Sequence, residues 1–213
     1  YPLNIMFSYY SPMHDGVVWE LSLKPKNFAP SRSWLLVDKP NGDRVCDSVL
    51  IGHTMQEVLT LLTRMESYYQ KAMRELNSIK IEENDKLADL FSVSSALLTL
   101  CRSAKNIIEF YILRNKLGIG EGDPVKILNK MYTLIESEIK QSEAMIVLCE
   151  KDLRLGYHSE AEGFKFFPEK LRHRISTLKN LLETEFKEVE KRIADGLVPL
   201  GFYDAEGEDG SLQ

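Results

Sequence analysis

The sequence predicts a mainly α fold: four long helices in an antiparallel up-and-down bundle, with an irregular N-terminal segment packed across it. Three observations lead there. Four long stretches repeat apolar residues every three or four positions, the period that gathers side chains on one face of a helix. Their ends carry helix start and stop signals. Residues 1–53, in contrast, hold both tryptophans, several prolines and a Pro40-Asn41-Gly42-Asp43 turn without any helical period. The expected organisation is therefore an irregular segment over 1–53, read as the end of a preceding domain, a bundle over 54–203, and a glycine-bearing acidic tail over 204–213.

The first helix is predicted from about Met55 to Ile79. Thr54 and Glu57 form a T-x-x-E capping box, and Met55, Val58, Leu59, Leu62, Met65, Tyr69, Met73 and Leu76 make one stripe. The second runs from about Asp85 to Leu117, with Leu87, Leu90, Phe91, Leu97, Leu98, Cys101, Ile108, Tyr111 and Ile112 turned inward and Gly118 as its stop. Asp123-Pro124 opens the third, as N-cap followed by proline at the first helical position, and Ile127, Leu128, Met131, Leu134, Ile135, Ile139, Met145, Ile146, Cys149 and Leu153 form its stripe. The fourth begins at Pro168 and passes through Leu171, Ile175, Leu178, Leu182, Phe186, Val189 and Ile193 to Gly196. Helices of this length on short connectors pack as antiparallel neighbours. In the N-terminal segment, Leu3 to Tyr10 reads as a strand whose sheet partners lie elsewhere.

Composition excludes several classes. With 27 Lys+Arg against 32 Asp+Glu, and a net charge of −5, there is no basic excess to neutralise a phosphate backbone, so no nucleic-acid role is expected. Apolar runs such as Ala144-Met145-Ile146-Val147-Leu148-Cys149 are short and bounded by charge, which predicts no membrane span. Cys46, Cys101 and Cys149 cannot all pair and show no C-x-x-C spacing; Cys101 and Cys149 fall on apolar helix faces and read as small core residues. The chain opens on Tyr1 with neither an initiator methionine nor a signal-peptide pattern, which reads as a processed or excised part of something longer. There is no G-x-S-x-G, Walker or G-x-G-x-x-G motif, and Gly118-Ile119-Gly120-Glu121-Gly122 reads as a linker. No cofactor or metal is expected. His53 and His173 read as capping or solvated residues.

Chemistry concentrates in two places. The first is the connector from Leu155 to Pro168, longer than a helix-helix turn needs. Gly156 reads as a left-handed helix C-terminus and Pro168 as a helix start, leaving Tyr157-His158-Ser159-Glu160-Ala161-Glu162 unexplained. His158, Glu160 and Glu162 alternate, so an extended chain puts them on one face, where an imidazole and two carboxylates can bind a metal, contact a substrate, or anchor the loop by hydrogen bonds. Without H-E-x-x-H or a cysteine cluster the metal reading is the weakest. The second place is His14-Asp15-Gly16-Val17-Val18-Trp19-Glu20 with Arg32-Ser33-Trp34. Aromatic faces beside carboxylates and arginine are what sugar sites combine, although Trp19 and Trp34 equally suit packing residues that pin an irregular segment to helices. Asp15 and Glu20 are candidates for the carboxylate pair of glycoside hydrolysis. The two places are expected to meet on one side of the bundle.

Leu155-Gly156-Tyr157-His158-Ser159-Glu160-Ala161-Glu162-Gly163-Phe164, continuing through Phe167-Pro168-Glu169-Lys170-Leu171, resembles the helical C-terminal region of large bacterial glycoside-hydrolase-like proteins, in which a (β/α)8 barrel of hexosaminidase and α-glucuronidase type comes first. Agreement through His14-Asp15-Gly16, Trp19-Glu20 and Arg32-Ser33-Trp34 is weaker. The resemblance implies a carbohydrate context and an extracytoplasmic, periplasmic or secreted, bacterial setting; it assigns no catalytic residue here. The leading expectation is a helical accessory domain of a carbohydrate-processing protein, partnered by a carbohydrate or by the preceding barrel, with His14, Asp15, Trp19, Glu20, Arg32, Trp34, Tyr157, His158, Glu160 and Glu162 as candidate ligand-binding residues. The alternative is a non-catalytic protein-interaction module. A free-standing enzyme using Asp15, Glu20, His158, Glu160 and Glu162 is the third reading.

Overall fold

The computed structural model of the chain describes residues 16–24, 54–78, 85–158 and 163–200. Four long helical rods dominate it: α1 (Met55–Asn77), α2 (Asp85–Gly118), α3 (Pro124–Lys151), and a fourth made of α4 (Pro168–Leu181), a π-helical turn (Leu182–Phe186) and α5 (Lys187–Ala194). They pack as an antiparallel bundle. Both foreseen N-terminal caps are present. Glu57 N–H donates to Thr54 Oγ1 at 3.2 Å while Thr54 N–H donates to the Glu57 carboxylate at 2.7 Å, and Asp123 accepts from Val125 and Lys126 N–H at 3.0 and 3.2 Å. Each satisfies amides that the first helical turn leaves without partners.

Packing follows the chain: α1 lies on α2, α2 on α3, α3 on α4. The main core draws Leu62 from α1, Ile108 and Phe110 from α2, Met131 and Ile135 from α3, and Phe186 from the π turn. A smaller apolar cluster joins Val17, Ala96, Met145, Cys149, Phe166 and Leu171 at the end of the bundle where the α3-to-α4 connector sits. The stripe residues Leu98 and Leu134 are both buried. Truncating either to alanine removes apolar area and leaves a cavity, and is expected to destabilise the chain by about 2–5 kcal/mol in urea denaturation. A loss below about 1 kcal/mol would show that the site collapses around the gap.

Four details differ from the sequence reading. Leu90, expected to face inward, is 51% exposed on the opening turns of α2. Leu153 lies beyond the end of α3, in a 3-10 turn (Leu153–Gly156), and is 53% exposed. Gly156 does not close α3 in a left-handed conformation: α3 ends at the extended Asp152, and among the described residues the glycines with positive φ are Gly120, Gly122 and Gly196. What requires glycine at 156 is a close approach, because a Cβ there would stand 2.0 Å from the carbonyl oxygen of Phe166. Gly156→Ala is expected to cost about 1–3 kcal/mol as the connector shifts, readable as a lower Tm. Last, the connector contains a short antiparallel pairing, β1 (Tyr157–His158) with β2 (Gly163–Phe164), in register Tyr157 to Phe164 and His158 to Gly163.

Among the described residues, one helix is long and apolar enough by length and composition to cross a membrane, at Lys86–Gly118 within α2. The sequence reading expects none, because its densest apolar runs, such as Ala144 to Cys149, are short and bounded by charge. In this fold α2 is the central helix, flanked by α1 and α3.

Candidate functional site

The middle of the bundle is polar. Glu138 of α3 is completely buried and pairs with the buried Arg174 of α4 at 2.7 Å. Ser103 Oγ donates to its carboxylate at 2.6 Å and Asn106 Nδ2 at 2.7 Å, both from α2. Arg174 also donates to Ser142 Oγ at 2.9 Å and to the backbone oxygen of Trp19 at 3.2 Å. Three helices and the N-terminal segment thus meet on one ion pair. A charge taken out of water is tolerated only when paired and hydrogen-bonded, and this one is both. Three internal donors, Ser103, Asn106 and Arg174, hold the carboxylate.

The described part of the N-terminal segment, residues 16–24, runs as a strap between α2 and α4. Its first turn, Gly16–Val18, packs on α2, α3 and α4. Val17, Leu21, Ser22 and Leu23 are buried and Trp19 partly so. Side chains of the bundle bond its backbone. Tyr111 Oη donates to Glu20 O at 2.9 Å, Arg114 to Ser22 O at 3.4 Å, and Arg174 to Trp19 O, while Glu185 accepts from Leu23 N–H at 2.7 Å and Lys24 N–H at 3.2 Å. Arg114 sits over the Tyr111 ring at 4.6 Å. The π turn helps to place Glu185, because an i→i+5 turn holds one residue more than an α turn and shifts the helix face after it. Phe186 then continues the core stripe, and Glu185 meets the strap.

A second ionic group fixes α1 to α2. Glu66 accepts from Arg102 Nε at 3.0 Å and is paired with Lys105, and it takes a bond from Gln70 at 2.7 Å. Burial works to raise the Glu66 carboxyl, yet hydrogen bonds and charge from Lys105 and Arg102 outweigh it and hold it below its ordinary 4.5. A carboxyl with a lowered folded-state pKa adds stability above its unfolded value and loses it as pH falls through the folded one. The stability gap between wild type and Glu66→Gln is therefore expected at neutral pH and to narrow as pH drops below 4.5. Parallel urea titrations across that range check it; a constant gap would show that charge at Glu66 contributes nothing. The two described thiols are inert by the same physics. Burial pushes Cys101 up to about 12, helped by the Glu66 charge, and Cys149 up to about 11, helped by Asp152.

At the connector end, Tyr157 and Phe164 meet edge to face at 5.4 Å, each 50% exposed, with the exposed Leu153 and Phe167 also on this connector. The N-terminal part of α2 belongs to the same end, since Ala96 shares a buried cluster with Cys149 and Phe166, and the Arg154 pKa is raised by its hydrogen bonds to Asp152. Exposed Leu90 and Val93 stand there. No family model, curated protein or solved structure matches the chain. Function must be argued from the residues.

Of the candidate ligand residues, Trp19 packs against the main core and Glu20 is exposed at the strap. Tyr157 stands in the aromatic pair. His14, Asp15, Arg32, Trp34, Glu160 and Glu162 lie outside the described residues, and for His158 only the strand position is described. Val17 of the strap belongs to the same buried cluster as Phe166 of the connector, with Leu155 packed against it; the expected shared surface itself rests largely on residues outside the described ones. No group of three or more potential metal ligands occurs among the described residues. Sequence reasoning missed Glu138, Ser142, Arg174 and Glu185. A signal existed: Glu138 and Ser142 fall at helical spacing between Ile135 and Met145, and Arg174 between Leu171 and Leu178. Half-buried Ile139 and Ile175 filled those stripes on paper. In the strap Val17, Leu21 and Leu23 are buried, but so is Ser22 between two of them, and its first three residues form a 3-10 turn.

Proposed function

We propose that the chain is a non-catalytic helical module that docks by its connector end onto a larger body, the setting being the extracytoplasmic carbohydrate-processing protein that the Leu155–Phe164 resemblance implies. The observation that carries this reading is the exposed aromatic pair Tyr157–Phe164 with Phe167 and Leu153 beside it on one connector. Glu138, Arg174, Glu66 and Glu185 are spent on internal pairs; the opposite end also exposes Ile119, Val125, Leu197 and Val198, but these are aliphatic. Clustered exposed apolar side chains mark a contact surface more often than scattered ones do. On this reading α2 is a core helix rather than a membrane span, since Ser103, Asn106, Arg102 and Lys105 along it are bonded to other helices.

A second reading, direct sugar contact, is favoured by the Tyr157–Phe164 pair, because half-exposed rings offer a face to the C–H side of a pyranose. One experiment separates the two. A photo-crosslinking residue at Tyr157, with Tyr68 of α1 as the exposed control, is expected to give a discrete protein adduct in the native host at 157 and not at 68. Equal labelling at both positions would sink the docking reading. Saturable quenching of tyrosine fluorescence by oligosaccharides, lost in Tyr157→Ala, would establish the sugar reading instead.

A further inference from the structure

We propose that the buried centre around Glu138 is a register lock: it selects one position of the fourth rod along α2 and α3, among packings that the apolar core by itself would accept. The apolar stripes repeat too evenly to choose. α4 buries Leu171, Leu178 and Leu181, and α3 buries Leu128, Met131, Leu134, Ile135 and Met145. A slide by one turn, about 5.4 Å, brings one pliable aliphatic side chain to the place of another. Cores tolerate such exchanges and lose uniqueness before they lose stability. At the level of Glu138 on α3, Arg174 on α4 and Ser103 with Asn106 on α2 break that repeat.

The interruption penalises the neighbouring registers. Arg174 stands between Leu171 and Leu178 on the buried face of α4, so a slide of one turn in either direction sets a leucine against the carboxylate and takes the guanidinium away. A one-turn slide of α2 brings the fully buried Ile107 and Phe110 to the places of Ser103 and Asn106. Either leaves a charge out of water without its partners, among the costliest states a core can hold. The fit is directional as well as ionic: one guanidinium nitrogen donates to Glu138 at 2.7 Å and another to Ser142 at 2.9 Å, one turn along α3. Two anchors on successive turns set the height of α4, which a single contact would not. An apolar set of the same shape is as a rule no less stable than a buried ion pair, so what the centre adds is discrimination. The consequence reaches the connector. Leu171 packs with Met145, Cys149 and Phe166, so the height of α4 decides where Phe166 and the exposed rings beside it stand.

The test replaces the centre by apolar residues, Glu138→Met/Arg174→Met/Ser103→Ala/Asn106→Leu, in the full chain carrying isotope-labelled methionine methyls for NMR. Met131 and Met145 lie one heptad to either side of Glu138, one in each apolar cluster, and report both halves of the core. Wild type is expected to give one sharp resonance for each. The apolar variant is expected to keep its helical circular dichroism and its urea midpoint. Both methyls should nonetheless show a second resonance at about a tenth or more of the main intensity, or lose the first to exchange broadening. A single sharp resonance at either methyl overturns the proposal. Leu134→Ala, which loosens the core without touching the centre, is expected to keep single resonances; splitting there too would assign the effect to loose packing and overturn the proposal equally. If the apolar variant loses its helical signal, it is measured again in sodium sulfate, which strengthens apolar burial and restores no charge pair. A helical state recovered there with split methyls supports the lock; failure to recover shows that the centre is needed for folding itself and overturns it.

Discussion

Replacing Glu138 by alanine is expected to destabilise the chain by about 3–5 kcal/mol, one of the two largest single-residue effects in the molecule. The Arg174 guanidinium would keep its position between α3, α4 and the strap, buried, with no carboxylate to balance it. Stranding one partner of a buried pair exposes the full desolvation cost of the other. Ser103 Oγ and Asn106 Nδ2 would lose their acceptor in the same stroke, and each buried donor left unmade adds its own penalty. Arg174→Met should do comparable damage, leaving the carboxylate behind. The double replacement Glu138→Ala/Arg174→Met is the informative one. If the pair serves stability through mutual compensation, the double variant should lose clearly less than the sum of the singles, with a coupling above about 1 kcal/mol by a double-mutant cycle in urea. Strict additivity would mean that the two side chains act independently.

Phe186→Ala is expected to cost about 3–5 kcal/mol. Its ring is buried at the end of the π turn and meets Tyr132 edge to face at 6.3 Å, so truncation removes a large apolar side chain where no neighbour can easily fill the space. The location carries a second consequence. The π turn exchanges one α turn for a wider one so that Phe186 faces the core while Glu185 faces the strap. Without the ring, the core no longer favours that register, and the strap amides of Leu23 and Lys24 should gain hydrogen-exchange rate along with the global loss. A Phe186→Ala variant with a fall below about 1 kcal/mol and unchanged strap exchange would show that Phe186 does not stabilise the turn.

Much of the fold could be read from the chain alone, and the reasons are local. Thr54 with Glu57, and Asp123 with Pro124, marked helix starts because capping depends on residues three or four apart. The stripes through Leu62, Ile108, Met131 and Leu178 marked the buried faces because a helix repeats its faces at a fixed period. The sequence marks Gly156 as a helix C-terminus, but its role comes from the carbonyl of Phe166, ten positions on, which only the folded connector brings within 2.0 Å of the would-be Cβ.

The sequence by itself determined that this is a four-rod helical bundle, where its rods begin, and that residues 16–24 are not part of them, since caps, breakers and periodicity act between near neighbours. Tertiary structure alone decided that Glu138, Arg174, Ser103 and Asn106 form one buried centre, that Glu185 grips the strap, and that the strap lies between α2 and α4. Those partners are separated by tens of residues in the chain, and whether a charged side chain on an apolar stripe is buried or solvated depends on which groups the packing of other helices brings to meet it.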